Sequence, residues 1–541
     1  MPLSLQKEMK LLVHLVFVLF SQSVLAQTVF PYTVHLEEYT IDQLPALHSF
    51  STARCGGKWL FIGGRTDGIH ERMPMNAFPS FHNNAMMYVV DPGLKKVWQK
   101  SVQDLPVPLR EHLQSGNPNY VQVEDTLYIA GGYAYSRSAN GHITFPYLTT
   151  IQISKLIAAI QEQQDISDCF KQVHDTMFAV TGGQMAYMNR RFYLIGGHRF
   201  DGVYNPEGQP SFMQRYTNHI RSMVIQNNRN QITVSDHRTL YDAMHLHRRD
   251  YNLIPYVTDD GQILYTISGG VFQYDVNKSF SYPVDIMHDS YKPYIAFNQY
   301  LNLYHSAHVA CYEEITRQSH VLFYGGIGAA YPNNQKMLRD SMLPFVNSVS
   351  LLSRLSDTLF QERLLDVQLP DYLGTSSVFI HHEEVPRYTS DMIMLSHNTK
   401  DTMLIGYLYG GIRSKTKHPF FENESRQQTG ASNRLFRVYL IQSDTAAQTI
   451  MDGSNPYLAR TRLLQNGNKK QIELQAQRAG IIRYYGVNEK EEIIFFGQRQ
   501  LKKSRQHRVS LRSFTQGTPG IHKLYLVFDD LFFTSLTVSA D

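Results

Sequence analysis

Short apolar segments that end in two glycines recur along this chain and form its clearest pattern of hydrophobic and polar positions. The segments are rich in aromatic and branched side chains, which favour extended strands over helices. A continuous apolar run bounded by glycine indicates a strand buried on both faces that turns where no side chain fits. Six such runs end at Gly63–Gly64, Gly131–Gly132, Gly196–Gly197, Gly269–Gly270, Gly325–Gly326 and Gly410–Gly411.

The spacing of the diglycines predicts a repeated unit the size of one small sheet. Successive pairs are separated by 68, 65, 73, 56 and 85 residues, which suits four strands with loops of variable length. One diglycine is a common turn signal, whereas a series at comparable spacing indicates a repeat architecture. The pattern therefore predicts an all-β fold of the β-propeller class, built from four-stranded blades.

The same units resemble the kelch repeat, in which the second strand of each blade ends in Gly-Gly. The first unit also carries Tyr88, Trp98 and the pair Leu105–Pro106, as the kelch pattern does. Later units lack the tryptophan, because the chain contains only 2 Trp, and are degenerate copies. The resemblance implies a kelch-type β-propeller. Nearly the whole chain is similar to functionally undefined secreted kelch-like proteins of Bacteroidota.

The C-terminal region decides the number of blades. A seventh, weaker copy is present at Glu492–Gly497, preceded by the apolar segment Gly480–Tyr485 and followed by Lys523–Phe528. We therefore predict seven four-stranded blades, with six blades plus a C-terminal appendage as the alternative. The segment Tyr32–Tyr39 is typical of an outer strand without a blade of its own. We expect it to complete the C-terminal blade and close the ring, which removes open sheet edges.

A secretory signal is predicted at the N-terminus. Lys7 and Lys10 precede the apolar run Leu11–Phe20, and a segment of small residues ends at Ala26. The apolar run is about half the ~20 residues that span a bilayer, which argues against a membrane anchor. We therefore expect cleavage after residue 26 and one exported domain over residues 27–541. Its location would be periplasmic, cell-surface or extracellular, with no transmembrane segment in the mature chain.

Two segments depart from the strand pattern. Residues 154–165 contain helix formers and few turn signals, which predicts a short helical insertion within a blade. Residues 415–434 are polar and contain serine and glycine, which predicts a long mobile loop.

Composition excludes several classes of protein. The net charge is +4 for 541 residues, and no basic stripe favours nucleic acid as a partner. The chain has 3 Cys, namely Cys55, Cys169 and Cys311, so it is not a disulfide-stapled scaffold. Stability must therefore come from apolar burial.

Polar residues concentrate at one predicted edge of the sheets. In an antiparallel pair, the start of one strand lies beside the end of the next. The residues that open each first strand and those that follow each diglycine therefore share one rim, where loops on a rigid scaffold commonly bind ligands. For any single residue, a solvated loop or a structural ion pair is the alternative. The predicted binding residues are His48, Arg65, Asp67, His70, Tyr133, Tyr135, His198, Arg199, Asp201, Tyr204, Asn205, Arg248, Arg249, Asp250, Tyr251, His305 and His308.

No metal site or cofactor is predicted. His245 and His247 would share one face of a strand, but no third ligand is tied to them by spacing, and a catalytic metal usually takes three. Some kelch-type propellers are copper radical oxidases with a cysteine that modifies a tyrosine. Here Cys55 and Cys311 stand at similar distances after a His-Ser pair, which favours buried packing at equivalent positions.

The chain also resembles exported kelch sialic-acid mutarotases. That resemblance implies a carboxylate or histidine for proton transfer beside an arginine that holds an anionic sugar. The residues of those types on the rim are His48, Asp67, Arg248, Arg249, Asp250 and His305.

These observations favour a binding protein over an enzyme. The chain lacks the Gly-x-Ser-x-Gly elbow, the phosphate-binding loop, the dinucleotide fingerprint and the His-Glu-x-x-His motif. We expect an exported binding or scaffold protein that recognises a carbohydrate or a protein through the rim, by aromatic stacking and directed hydrogen bonds. The alternative is a sugar-modifying enzyme, mutarotase-like or a metal-dependent oxidase, with its site at the same rim.

Overall fold

The structure is a computed structural model, and the signal segment predicted at residues 1–26 lies outside the residues that it describes. Among the helices of the described part of the chain, none has both the length and the apolar character needed to cross a membrane. The described residues are 30–71, 77–205, 211–228, 231–333, 336–396, 401–421, 425–443, 448–451, 458–466, 469–476, 478–503, 506–510, 521–529 and 532–537.

The protein is all-β, with many small antiparallel sheets that are consistent with a propeller-like fold. Within the described residues, the first four sheets each contain four strands in chain order. Sheet one has β2 (Ser51–Cys55), β3 (Lys58–Ile62), β4 (Met86–Asp91) and β5 (Lys96–Ser101). Sheet two has β6 (Asn119–Val123), β7 (Thr126–Ala130), β10 (Tyr147–Gln152) and β11 (Phe170–His174). Sheet three has β12 (Gln184–Met188), β13 (Arg191–Ile195), β16 (His219–Asn227) and β17 (Ile232–Tyr241). Sheet four has β18 (Asn252–Val257), β19 (Ile263–Ser268), β20 (Val284–Ile286) and β21 (Tyr291–Pro293).

The fifth and sixth sheets follow the same order and carry additions. Sheet five has β22 (Ala307–Glu313), β23 (Gln318–Ile327), β26 (Phe345–Ser356) and β27 (Leu359–Gln368), with β29 (Arg387–Thr389), β30 (Met392–Met394) and β34 (Gln448–Ile450) at its edges. Sheet six has β28 (Tyr372–His381), β31 (Thr402–Ser414), β33 (Leu435–Gln442) and β1 (Tyr32–Glu38), with β32 (Thr429–Ala431) beside β31. Within the described residues, three hairpins connect second to third strands: β8–β9 (Tyr133–Ser136, Gly141–Thr144), β14–β15 (His198–Gly202, Phe212–Tyr216) and β24–β25 (Ala330–Asn333, Lys336–Arg339).

The N-terminal strand β1 pairs antiparallel with β33 of sheet six. We expected it to complete the C-terminal blade, and the structure differs on this point. The stretch of chain that forms sheet six supplies β28, β31 and β33, so the edge of β33 is open to another strand. Tyr32 and Val34 are buried in the core while Thr33 and His35 are exposed, and this alternation matches a strand that covers one face of a sheet.

The C-terminal strands form two further sheets. One has β35 (Leu458–Asn466), β36 (Lys469–Ala476) and β39 (Gln506–Ser510), and the other has β37 (Gly480–Val487), β38 (Ile493–Leu501), β40 (Lys523–Phe528) and β41 (Phe532–Thr537). The second contains the predicted seventh copy, but its spatial order is β38-β37-β40-β41. Its first strand therefore lies inside the sheet, whereas the first strand of sheets one to four lies at an edge.

Apolar clusters fill the spaces between consecutive sheets. Leu60 and Ile62 of sheet one pack with Leu127 and Ile129 of sheet two, and similar clusters follow along the chain. Sheet six in turn packs on sheet one, where the ring of Tyr409 stacks on Phe61 at 4.7 Å between centroids. The last main sheet therefore lies against the first.

A chain of backbone hydrogen bonds joins one residue from, or next to, the first strand of each main sheet. In each bond the N–H of one residue donates to the carbonyl of its counterpart in the preceding sheet, at 2.7 to 3.1 Å. We call these residues the inner ring; they are Ser49, Asn117, Gly182, Asp250, His305 and Ser376. The inner ring brings the ends of six sheets together at one level of the structure.

Helices are short. The helix Ile153–Gln161 lies where the sequence predicts one, and Ile153, Leu156, Ile157 and Ile160 pack into the cluster between sheets one and two. Within residues 415–434, predicted as a loop, the described parts form the turn Pro419–Phe421, the helix Ser425–Gln428 and β32. The remaining helical segments are Ser80–His82, Val107–His112, Ser167–Cys169 and Thr176–Phe178.

Candidate functional site

The residues that open the first strands and those that follow the diglycines lie side by side at one edge of the sheets. His48 pairs with Arg65, and Thr181 pairs with His198, each through an antiparallel bridge. Arg249 is bridged in the same way to Val271. This edge is the rim, and the residues of the inner ring lie beside it, at or near the starts of the first strands.

Side chains from several sheets converge on Arg249. Its Nε donates to the Tyr216 hydroxyl at 3.1 Å, and its Nη1 donates to the Asp250 carboxylate. The hydroxyl of half-buried Tyr304 is close enough to Arg249 and Asp250 to interact with both electrostatically. We call this group, with its neighbours from sheets one and three, the rim cluster; it comprises Arg65, Asp67, His70, Tyr204, Tyr216, Arg249, Asp250 and Tyr304.

Asp250 belongs to both the inner ring and the rim cluster. Its Oδ1 accepts from the Asn117 side-chain amide at 3.1 Å, across Gly182. Burial raises the pKa of Asp250, although the charge of Arg249 acts in the opposite direction. Burial also acts against the charge of Arg249, but Tyr216 and Asp250 raise its pKa above the ordinary value. The pair therefore joins an arginine that stays charged to a carboxyl group whose pKa burial raises.

Arg65 and Asp67 form the second ion pair of the rim cluster. Arg65 donates to both carboxylate oxygens of Asp67, at 2.8 and 2.6 Å, and to Asn83 Oδ1 at 2.8 Å. His48 Nε2 lies 3.6 Å from Asp67. Burial acts to raise the pKa of Asp67, but His48 and Arg65 hold it well below the ordinary value. Each arginine of the rim cluster is therefore matched by a carboxyl group.

Aromatic rings form one wall of the rim cluster. His70 contacts Tyr204 and Phe78, each at 4.7 Å between centroids, and Phe78 meets Tyr133 edge to face at 5.3 Å. Arg65 lies over the Phe78 ring at 5.4 Å. Rings held by packing in this way present rigid apolar faces beside hydrogen-bonding groups.

The histidines around the rim are held neutral. Burial lowers the pKa of His70 and of His305 to about 4, and it also lowers the pKa of His48 and His198. The Arg249 charge adds to this effect at His70 and His198. Imidazoles in this state can donate and accept hydrogen bonds at neutral pH without carrying charge.

These lowered pKa values predict loss of stability in mild acid. Unfolding exposes each imidazole, which then takes up a proton below about pH 6.5. The stability is therefore full above pH 6.5 and falls as the pH drops toward 4, by about 2 kcal/mol at pH 4.5 for each of His70 and His305. Thermal unfolding at pH 7.5, 6.0 and 4.5 should show a falling Tm, and His70→Gln should reduce the slope. A Tm independent of pH in this range would contradict the assignment.

Several predicted rim residues lie elsewhere. Arg248 and Tyr251 are 0% exposed and sit in the core between sheets three and four. Tyr251 donates to the Ile195 carbonyl at 2.7 Å. Arg248 donates to backbone carbonyls and lies over Phe280 at 4.1 Å.

The other predicted residues are held in rim hairpins or face away from the rim cluster. Arg199 pairs with Asp201 at 2.6 Å near the surface, and the Tyr135 hydroxyl donates to Asn140 at 3.3 Å. His308 contacts the carbonyls of Ser306 and Leu253 and faces the interior. Asn205 lies at the end of a described segment, beyond Tyr204.

Sequence reasoning missed some members of the site. Tyr216 lies at the end of a hairpin within sheet three, and nothing in its local pattern marks it. Tyr304 directly precedes His305 in an opening segment, and the strand order places it on the rim, but it is not among the predicted binding residues. Phe78 and Asn117 likewise lie between strands, in segments without a repeated motif.

Below the inner ring, the first strands of the sheets surround a cavity of ≈ 970 Å³. A small pocket of ≈ 10 Å³, about the volume of one water probe, lies at the level of Asn117, Asp250 and His305. The cavity reaches the turn at Gly56–Gly57, at the end of the sheets opposite the rim. None of the residues of the rim cluster lines the cavity, so the two are distinct groups of residues.

No metal centre is seen in the part of the chain that the structure describes, where no three His, Cys, Asp or Glu side chains group closely enough to hold an ion. His245 packs on Tyr282, whereas His247 stacks on Tyr216 at 3.8 Å. These two histidines therefore point to different neighbours.

Comparison with known proteins gives a weak structural similarity. No protein-family model matches the sequence, and no curated protein matches it either. The solved structure of YjhT is 10% identical in sequence, covers 76% of this chain and 99% of its own, and has a TM-score of 0.41.

Proposed function

We propose that the six main sheets are the blades of a six-bladed propeller of the kelch type. The packing of sheet six on sheet one supports a closed arrangement, and β1 supplies the outer strand of the sixth blade. The different strand order of the C-terminal sheet supports an appendage over a seventh blade. The signal segment predicted from the sequence at residues 1–26 supports export to the periplasm, the cell surface or the medium.

The rim cluster is the binding site, and its ligand is a carbohydrate. The observation that carries this proposal is the convergence of Tyr216, Tyr304 and Asp250 on Arg249 beside an aromatic wall. A carbohydrate needs flat rings against its C–H faces and directed donors and acceptors for its hydroxyls. Because both arginines are paired with carboxyl groups, the site favours a polyhydroxylated ligand over a strongly charged one.

Binding to a glycan array tests the proposal. Wild-type protein should bind a defined subset of glycans, and Tyr304→Ala should weaken that binding by about tenfold or more, because it removes a ring and a hydroxyl at the centre of the site. Tyr135→Ala is the matched control, since it removes a rim tyrosine outside the rim cluster. Equal effects of the two substitutions would contradict the site. Absence of glycan binding together with capture of a protein partner would favour the scaffold role.

A sugar-modifying enzyme is the second candidate, and Asp250 is the observation that favours it. A buried carboxyl group whose pKa is raised can exchange a proton with a sugar hydroxyl held by Arg249. Anomer exchange of the bound sugar, measured by NMR, separates the two roles. An enzyme predicts fast exchange that Asp250→Asn removes while binding persists. If the protein only binds the sugar, neither the wild type nor Asp250→Asn should accelerate anomer exchange.

A further inference from the structure

The interior cavity contains a set of polar groups that the rim cluster does not use. Arg54, on β2, reaches across to the segment between β29 and β30, where its Nη2 donates to the Ser390 carbonyl at 2.5 Å. The same atom lies 3.6 Å from Asp391, whose side chain is about half exposed within the cavity. Arg387 and His381 also line this space.

Two buried nitrogen atoms in this set have no hydrogen-bond partner among the described residues. They are Nη1 of Arg54 and Nε2 of His381. His381 is 9% exposed, and its charged or titratable neighbours are Arg54, Arg387 and His308. Unpartnered buried donors are costly unless a ligand or water satisfies them. The surroundings of His381 are therefore basic and incompletely satisfied.

The charges around the cavity limit the kind of ligand that fits. Close to His381 are two guanidinium groups, on Arg54 and Arg387, with the carboxylate of Asp391 beside Arg54, and the nearby histidines are held neutral by burial. Three further carboxylates also line the cavity, those of Asp91, Glu124 and Glu383. A local excess of one positive charge beside His381, on a lining that carries four carboxylates in all, suits a single negative charge better than several.

We propose that the cavity is a second binding site, separate from the rim cluster, and that it takes a small organic monocarboxylate. The carboxylate accepts hydrogen bonds from Arg54, Arg387 and His381, and the rest of the molecule occupies the cavity. The volume of ≈ 970 Å³ is within the range of small-molecule sites and too narrow for a folded partner. The cavity reaches the turn at Gly56–Gly57, opposite the rim, so the ligand enters from that face.

The segment with β29 and β30 sets the specificity of this site. It lies between β28 and β31 in the chain, yet β30 pairs parallel with β22 of sheet five. It therefore crosses from sheet six to sheet five and meets Arg54 of sheet one at Ser390. Arg387 and Asp391 are carried by this segment, so the charge balance in the cavity depends on it.

Calorimetric titration with matched pairs of ligands tests the proposal. The probes are acetate, lactate, benzoate and gluconate, each beside its primary amide, with citrate as a multiply charged comparison. We expect at least one monocarboxylate to bind about tenfold or more tightly than its amide, because charge-assisted hydrogen bonds are about twice as strong as neutral ones. Citrate should bind no better than the best monocarboxylate. No preference for any carboxylate over its amide would overturn the proposal.

Variants locate the binding. Arg387→Gln, on an exposed side chain, should remove the preference for the carboxylate without loss of folding. Arg249→Gln, at the rim, should leave the preference for the carboxylate over its amide unchanged. A preference that survives Arg387→Gln, or that is lost in Arg249→Gln, would place the ligand elsewhere and overturn the proposal. Glycan binding at the rim is measured separately, so either site can fail alone.

Discussion

Substitution of Arg248 by Gln should lower the free energy of unfolding by about 3 kcal/mol, whereas the same change at Arg249 should cost about 1 kcal/mol. The two arginines are adjacent in sequence but differ in environment. Arg248 is fully buried and donates to the backbone carbonyls of Gly269 and Tyr282 at 2.9 and 2.8 Å. A shorter amide cannot reach both acceptors, and a buried carbonyl without a donor is costly.

Arg249→Gln should instead affect the ligand. The substitution keeps a donor near Tyr216 but removes the charge beside Asp250, so glycan affinity should fall by about 10- to 100-fold. Urea unfolding followed by tryptophan fluorescence gives the stability of both variants, and calorimetry gives the affinity. If Arg248→Gln were as stable as wild type, or Arg249→Gln bound normally, the assignment of a structural and a binding arginine would be wrong.

Removal of β1 should prevent formation of a stable monomer. Deletion of residues 30–38 would expose the edge of β33 and the apolar cluster between sheets five and six, which favours edge-to-edge aggregation. Within this segment, Phe30→Ala should cost about 3 to 5 kcal/mol, because Phe30 is 0% exposed and packs on Tyr32.

The control for β1 is Thr33→Ala, at an exposed position of the same strand. It should leave the unfolding midpoint nearly unchanged. Gel filtration of the deletion variant, with and without a synthetic peptide of residues 30–39, tests the role of the strand directly. A soluble, cooperatively unfolding monomer without residues 30–38 would show that sheet six does not depend on β1.

The diglycine pattern predicts the main sheets well, because it reports local geometry. Gly131 has φ of 68°, and a Cβ there would lie 1.9 Å from the Val180 carbonyl oxygen. The close approach of two sheets therefore requires glycine at this position. The all-β class follows from six such positions. The pairing of Arg65 with His48 also follows, because it depends only on the antiparallel order of strands.

Strand pairing and side-chain burial that depend on residues distant in sequence were harder to predict. The alternating pattern of β1 identifies a strand with one buried face, but not whether β33 or a C-terminal strand pairs with it. Arg248 and Arg249 are identical, adjacent residues in the sequence, and only the fold shows that Arg248 is buried while Arg249 lies at the rim. The cavity depends on Arg54 and on the segment with β29 and β30, which meet across a sequence separation of more than 300 residues.

The decisive measurement for carbohydrate binding at the rim is the electron density of a crystal soaked with the glycan that binds best on the array. We expect density for a sugar ring at the rim cluster, within hydrogen-bond distance of Arg249 and Tyr304 and in contact with the aromatic wall at His70 and Tyr204. Density for that glycan in the interior cavity, or on the outer surface of the sheets with the rim cluster empty, would contradict it.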